Sequence, residues 1–155
     1  MQEKPLVGVL VGSKTDEPLI QDTLKVLTDM GIAHEFNAMS AHRAPQRVAD
    51  YVSAAEGRGI EVIIAGAGGS AALPGVVASW TTLPVIGIPL PTSDMDGIDS
   101  LHTIVQMPPG VPVACVAIGA WGARNAAYLA ASILGIKHAA IKKAYSDYRE
   151  GLRNA

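Results

Sequence analysis

A serine, a histidine and an arginine lie together in the segment SAHRAP, residues 40–45, after a short apolar run. The Ser40 hydroxyl and the Arg43 guanidinium suit a phosphate or a carboxylate, because arginine offers such anions a rigid fork of donors. An imidazole beside that anion can transfer protons near neutral pH, which makes His42 the candidate acid and base. On the residues alone, an alternative stays open: a polar turn in which His42 only caps a helix that begins at about Pro45.

A second polar segment, GSKTD at residues 12–16, follows the first apolar run. An ATP-binding P-loop needs a glycine directly before its lysine, and Ser13 stands there instead. Ser13 and the free amides at the start of a following helix can still hold an anion. The alternative is that Thr15 or Asp16 only caps that helix, with Pro18 in its first turn.

The glycine-rich segment GAGGSA, residues 66–71, formally fits a dinucleotide-binding pattern. Its position after the third apolar run disfavours that function, because the pattern normally opens the first strand–helix unit of the fold. We interpret these glycines as positions where a small ligand can approach the backbone amides closely.

Metal-binding patterns are absent from the sequence. The segment DMDGID, residues 94–99, lacks the glutamate that a calcium-binding loop needs at its twelfth position, where Val105 stands. Asp99 is therefore predicted to cap the helix that follows. The four histidines have neither the spacing nor the neighbouring cysteines of a zinc site. We predict no metal ion and no cofactor.

Short apolar runs alternate with helical patterns along the chain. Strands are predicted at residues 6–11, 34–39, 61–65, 84–88 and 111–118. Helical spacing of apolar residues is found at 19–27, 48–55, 73–80, 99–107, 122–134 and 138–152. This alternation is typical of a parallel sheet with helices on both faces, in which ligands bind beyond the carboxyl ends of the strands. The polar loops described above follow the first three strands.

The composition restricts the class of protein. A chain of 155 residues predicts one domain, residues 1–155. Hydrophobic residues make up 49% and charged residues 17%, and the alanine-rich segment 122–134 has little polar face, which together favour a homo-oligomer. A net charge of −2 without a basic stripe argues against nucleic acid, and no apolar run is long enough for a membrane span. One cysteine, Cys115, and no signal-peptide pattern predict a cytoplasmic protein.

Taken together, the loops resemble the PurE family, the N5-carboxyaminoimidazole ribonucleotide mutases of purine biosynthesis. The matching segments, in chain order, are VGSKTD, SAHRAP, VIIAGAGG, LPGVVAS, GIDSLHTIVQMPPGVPVACVAIG and NAAYLAASIL. The resemblance covers nearly the whole chain and is to the bacterial mutase type, not to the relatives that carboxylate aminoimidazole ribonucleotide with free CO2. It implies a flavodoxin-like three-layer αβα sandwich with a parallel sheet and a C-terminal helix, assembled as a homo-octamer.

The resemblance also implies a reaction and the residues that perform it. A carboxylate moves from the exocyclic nitrogen of the imidazole ribonucleotide to carbon 4, without metal or ATP. His42 matches the acid and base of the family. The residues that match those holding the ribose and its phosphate are Ser13, Asp16, Ser40 and Arg43. Gly68, Gly69 and Ser70 fall in the loop that lines the pocket for the carboxylate and the base.

Four positions depart from the pattern of the family. Ala72 stands where a histidine is usual, and Ser70 stands for an alanine. Trp121 and Arg124 stand where small residues are common. Two alternatives therefore stay open: a PurE-like carboxylase or decarboxylase acting on aminoimidazole ribonucleotide or another aromatic ribonucleotide, and a non-catalytic nucleotide-phosphate-binding module. His42 favours an enzyme, since phosphate binding alone needs the serine and the arginine but not the histidine.

Overall fold

The computed structural model describes residues 4–155, which contain a parallel sheet of five strands. The strands are β1 (Val7–Val11), β2 (His34–Ala38), β3 (Val62–Gly68), β4 (Val85–Leu90) and β5 (Ala114–Cys115). Their spatial order, β2-β1-β3-β4-β5, is the flavodoxin-like order of a doubly wound sheet. The predicted α/β class is confirmed.

Helices cover both faces of this sheet. They are α1 (Gln21–Asp29), α2 (Pro45–Ser53), α3 (Ala55–Arg58), α4 (Leu73–Ser79), α5 (Ile98–Val105), α6 (Gly119–Leu134) and α7 (Ala139–Arg153), and a 3₁₀ helix (Lys14–Ile20) precedes α1. Helices α1 and α6 pack on one face, with α7 against α6, and α2 to α5 pack on the other. This arrangement is the predicted αβα sandwich with a C-terminal helix. None of the helices within residues 4–155 is long and apolar enough to cross a membrane.

The strand side chains divide between two cores, because successive residues of a strand point to opposite faces. In β3, Val62 and Ile64 join the core under α1 and α6, whereas Ile63 and Ala65 join the core under α2 and α4. Both faces are covered, so β1, β3 and β4 are apolar almost throughout, as buried parallel strands usually are.

The alanines of α6 pack within the core of a single chain. Five of them are fully buried: Ala123, Ala126, Ala127, Ala130 and Ala131. Their small side chains let α6 approach the sheet and α1 closely, and the buried Thr23 of α1 donates a hydrogen bond of 2.7 Å to the Ala123 carbonyl. The alanine content of this helix therefore has a cause within one chain and does not by itself indicate a subunit interface.

Several predicted boundaries were wrong. The predicted strand 111–118 pairs with β4 only at Ala114–Cys115, because it is an edge strand and contains Pro112, which cannot donate to the ladder. Asp99 does not cap α5 but lies in its first turn, after Gly97. Helix α6 begins at Gly119, three residues before its predicted start.

Candidate functional site

A cavity of about 350 Å³ lies at the carboxyl ends of β1, β2 and β3. Six of the eight predicted site residues line it: Ser13, Asp16, Ser40, His42, Arg43 and Gly68. Gly69 and Ser70 belong to the same β3–α4 loop as Gly68 but are not part of the wall. Ala72, one of the departures from the family pattern, also lines the cavity. The lining is completed by residues that the sequence did not single out: Gly12, Ala41, Ala67, Ala71 and Leu73. They are small or apolar, and no local pattern distinguishes them from core residues.

The turn after β2 presents a histidine and an arginine to the cavity. The Arg43 amide donates to the Ser40 hydroxyl at 3.2 Å, and the Ala44 amide donates to the Ser40 carbonyl at 2.9 Å. The same hydroxyl lies 3.4 Å from Nε of Arg43. Helix α2 then begins at Pro45, whose fixed φ suits the first helical position. Ser40 thus organises the turn, and the exposed side chains of His42 and Arg43 stand at the mouth of the cavity.

Ser13 begins the 3₁₀ helix that follows β1. Its hydroxyl accepts a hydrogen bond of 3.3 Å from the Thr15 amide and lies 2.9 Å from the Thr15 hydroxyl. Its carbonyl accepts from the Asp16 amide at 3.0 Å. The N-cap is therefore Ser13, and the alternative in which Thr15 or Asp16 caps the helix is wrong. Capping and anion binding are not exclusive here, since Ser13 also lines the cavity beside the first amides of the helix.

Asp16 places a carboxyl group in the same wall. Partial burial raises the pKa of this carboxyl group, and the Ser13 backbone amide and the positive charge of Arg43 oppose the increase. Asp16 takes part in no ion pair within residues 4–155. A carboxylate in this position can accept hydrogen bonds from hydroxyl groups of a ligand.

The β3–α4 loop makes a tight turn at the third side of the cavity. Gly69 has a φ of +58°, and the buried Ala71 has a φ of +40°, which is unfavourable for a residue with a side chain. The Ala71 amide donates to the Gly68 carbonyl at 3.0 Å. The turn brings backbone and small side chains to the cavity, while the side chain of Ser70 is exposed to solvent.

The four departures from the family pattern fall in different places. Ala72 lines the cavity, so this substitution changes the wall directly. Trp121 and Arg124 lie at a separate shallow cavity of about 290 Å³ at the start of α6. Nε of Arg124 lies 3.5 Å from the Asp22 carboxylate. Within one chain, Trp121 and Arg124 therefore leave the shape of the His42 cavity unchanged.

The site combines three kinds of chemistry in one cavity. Arg43 and Ser13 offer donors to an anion, Asp16 offers an acceptor to hydroxyl groups, and His42 can carry a proton. Within residues 4–155, no group of three or more His, Cys, Asp and Glu side chains is arranged to hold a metal ion. The residues present fit a phosphorylated sugar with a reactive group near the imidazole.

Comparison with known proteins identifies the family of this chain. Residues 6–155 match the AIR carboxylase family. The N5-carboxyaminoimidazole ribonucleotide mutase of Pyrococcus horikoshii is 51% identical over 151 residues, which cover 97% of this chain and 84% of the relative. The N5-carboxyaminoimidazole ribonucleotide mutase of Thermotoga maritima is 54% identical over 149 residues, which cover 96% of this chain and 86% of the relative.

The crystal structure of Treponema denticola PurE superposes with a TM-score of 0.85 at 28% identity, covering 97% of this chain and 92% of that one. Fold and site together define a flavodoxin-like α/β protein with a histidine and an arginine at a cavity beyond the carboxyl ends of β1, β2 and β3. The chain belongs to the AIR carboxylase family, which confirms the predicted membership of the PurE family.

Proposed function

We propose that this chain is an N5-carboxyaminoimidazole ribonucleotide mutase, an isomerase of purine biosynthesis, with one catalytic domain over residues 1–155. The observation that carries the proposal is the meeting of His42, Arg43 and Asp16 at one cavity, from loops after two different strands. Relatives with more than 50% identity over nearly the whole chain carry the name of this enzyme. A small-molecule ribonucleotide is the substrate.

Each residue takes a role that suits its chemistry. Arg43, Ser40 and Ser13 hold the phosphate, because guanidinium and hydroxyl groups are good donors to phosphate oxygens. Asp16 accepts hydrogen bonds from the ribose hydroxyls. Gly68 faces the imidazole and its carboxylate, and Gly69 and Ser70 continue the same loop outside the wall. Three loops thus hold three parts of one nucleotide.

His42 carries the proton that the rearrangement requires. The bond between the exocyclic nitrogen and the carboxyl carbon breaks, giving CO2, and the nitrogen takes a proton from the His42 imidazolium. Carbon 4 then attacks CO2, and His42 accepts the proton that carbon 4 loses, so the imidazolium is restored. Atoms, charge and electrons balance over the two steps, and the reaction consumes neither a nucleoside triphosphate nor a reductant.

The wall of the cavity suits the CO2 intermediate. Ala41, Ala67, Ala71 and Ala72 present small apolar side chains, which neither react with CO2 nor bring water to it. Retention of CO2 requires that solvent is excluded while it is free. The exposed position of His42 in one chain is consistent with completion of the enclosure by the bound nucleotide or by another subunit.

The test is incubation of the purified protein with N5-carboxyaminoimidazole ribonucleotide while the product carboxylated at carbon 4 is followed. A second candidate is a carboxylase acting on aminoimidazole ribonucleotide, because Ala72 lines the wall where a histidine is usual in the mutases. Labelled bicarbonate separates the two, because a mutase transfers the carboxylate of its substrate and a carboxylase incorporates the label. A non-catalytic module would bind the ribonucleotide and form no product in either assay.

We infer that the protein works as a homo-octamer in the cytoplasm. Large apolar side chains that remain exposed on the single chain support assembly: Trp80, Met95, Ile98, Val105, Trp121, Ile136 and Leu152. Trp121 is 75% exposed and Ile136 is 88% exposed, which is costly unless another chain covers them. The single, unpaired Cys115 is compatible with a reducing compartment.

A further inference from the structure

The loop between β4 and α5, residues 91–97, lies directly behind one wall of the cavity. Leu90, the last residue of β4, is in register with Gly68, the last residue of β3, so both strands end side by side. Thr92 then turns toward Gly68. A methyl group at Gly68 would overlap the Thr92 hydroxyl and lie 2.9 Å from Thr92 Cβ. Thr92 is thus packed against the backbone of a residue that lines the cavity.

Hydrogen bonds hold Thr92 in this place. The Leu90 carbonyl accepts from the Thr92 amide and from the Ser100 hydroxyl, both at 3.0 Å. Ser100 is fully buried, and its amide donates to the Asp99 carboxylate at 2.9 Å. The other oxygen of Asp99 accepts from the Ser93 hydroxyl at 2.6 Å. The carboxylate of Asp99 therefore ties the residue after Thr92 to the first turn of α5.

The end of the loop at Gly97 is closely packed, whereas Thr92 and most of residues 91–96 are exposed to solvent. Gly97 is buried and has a φ of +88°, and a methyl group there would lie 2.7 Å from Ile118 and 3.3 Å from the backbone of Pro91. Asp96, before it, has a φ of +52°. Glycine adopts such a φ without strain, whereas for Asp96 this conformation has a cost that the surrounding structure must offset.

We propose that Thr92 is a positioning residue of the site: it fixes Gly68 and the β3–α4 turn, and Asp99 holds Thr92 in place. Thr92 lies outside the cavity lining and acts through Gly68. The inference rests on the proposed function, in which that turn faces the imidazole and its carboxylate. A displacement of about 1 Å of a positioned group can lower a rate by about 100-fold, so a loosened wall should lower turnover more than binding.

The first test is steady-state kinetics with N5-carboxyaminoimidazole ribonucleotide. We expect Thr92→Gly to lower kcat about tenfold with KM within about threefold, because the phosphate grip is untouched. Thr92→Ser keeps the hydroxyl that touches Gly68 and should stay within about threefold of wild type. Thr82→Gly is the matched control: this exposed threonine precedes β4 at the opposite end of the sheet, and its replacement should leave kcat unchanged. Wild-type kcat in Thr92→Gly overturns the proposal.

A second-site test separates positioning from general destabilisation. Gly68→Ala adds a methyl group that overlaps Thr92 and should lower kcat about 100-fold. In the double variant G68A/T92G the overlap with Thr92 is removed, so kcat should recover by about tenfold relative to Gly68→Ala. A double variant in which the two losses simply add overturns the proposal, whatever the melting temperatures show.

Two further variants test the role of Asp99 and serve if Gly68→Ala does not fold. Asp99→Asn and Ser93→Ala weaken the same hydrogen bond. Their losses in kcat should be similar and should not accumulate in the double variant, and accumulating losses overturn the role of Asp99. A wild-type protein that neither converts nor binds the ribonucleotide refutes the proposed function as well. If the wild type is active and the losses of Gly68→Ala and Thr92→Gly simply add in the double variant, only the positioning role is refuted.

Discussion

Replacement of Arg43 by alanine tests whether the cavity binds a phosphate. Arg43 stands at the mouth of the cavity, with Nε 3.4 Å from the Ser40 hydroxyl. Within residues 4–155 its guanidinium forms no ion pair, so its terminal nitrogens are available to a ligand. If they hold the phosphate, Arg43→Ala should weaken binding of the nucleotide and leave binding of the nucleoside nearly unchanged.

The magnitude follows from the exposure of the side chain. A hydrogen bond to a charged group contributes about 1.5–3 kcal/mol, and a solvent-exposed arginine falls in the lower part of that range. A loss of about 2 kcal/mol corresponds to an increase in Kd of about 30-fold. The nucleoside has no phosphate, so its Kd should change by less than about twofold.

The assay is calorimetric titration of wild type and variant with aminoimidazole ribonucleotide and with its dephosphorylated ribonucleoside. Arg47→Ala is the matched control, because Arg47 is an exposed arginine in the first turn of α2 and does not line the cavity. It should change either affinity by no more than about twofold. Equal losses for nucleotide and nucleoside in Arg43→Ala, or an equal loss of nucleotide affinity in Arg47→Ala, would refute phosphate binding by Arg43.

Three further outcomes are expected. His42→Asn should abolish turnover while ribonucleotide affinity stays within about tenfold, or 1.4 kcal/mol, in single-turnover and calorimetric measurements, and near-normal turnover would exclude His42 as the proton carrier. Burial raises the pKa of Asp16, so the free energy of unfolding should fall as pH rises through that pKa. At pH 7, Asp16→Asn should therefore have a higher melting temperature than wild type and bind the ribonucleoside more weakly. A lower melting temperature in the variant would contradict this reasoning. Sedimentation velocity at micromolar concentration should show one species of eight chains, and a stable monomer would contradict the proposed assembly.

Much of the scaffold could be predicted from local patterns. The predicted strands 6–11 and 34–39 differ from β1 and β2 by one residue at one end. Strand β1 is a buried, continuous apolar run, whereas β2 is a half-buried edge strand that carries polar residues. The turn at residues 40–45 could also be predicted, since Ser40 and Pro45 act within a few residues of chain. The doubly wound order then implies that loops after neighbouring strands meet at one edge of the sheet.

Contacts between distant segments were beyond the reach of local patterns. The small wall residues, such as Ala67 and Ala71, have the composition of core residues, and only the closing of the β3–α4 turn brings them to the cavity. The residue type of Asp99 predicts a helix cap, yet its carboxylate accepts a hydrogen bond from the Ser93 hydroxyl across the loop.

The sequence by itself determined the α/β alternation, the first four strands of the chain and, through the SAHRAP turn and the other loops, the family. These depend on apolar runs and on side chains that act within a few residues. Only the tertiary structure decided how short β5 is, because the pairing of an edge strand depends on its neighbour β4. It also decided that Thr92 lies against Gly68. These residues are 24 positions apart in the sequence, and the pairing of β3 with β4 brings them together. Turns and strands depend on residues that are close in sequence, whereas the packing of one loop against another depends on segments that only the folded sheet brings together.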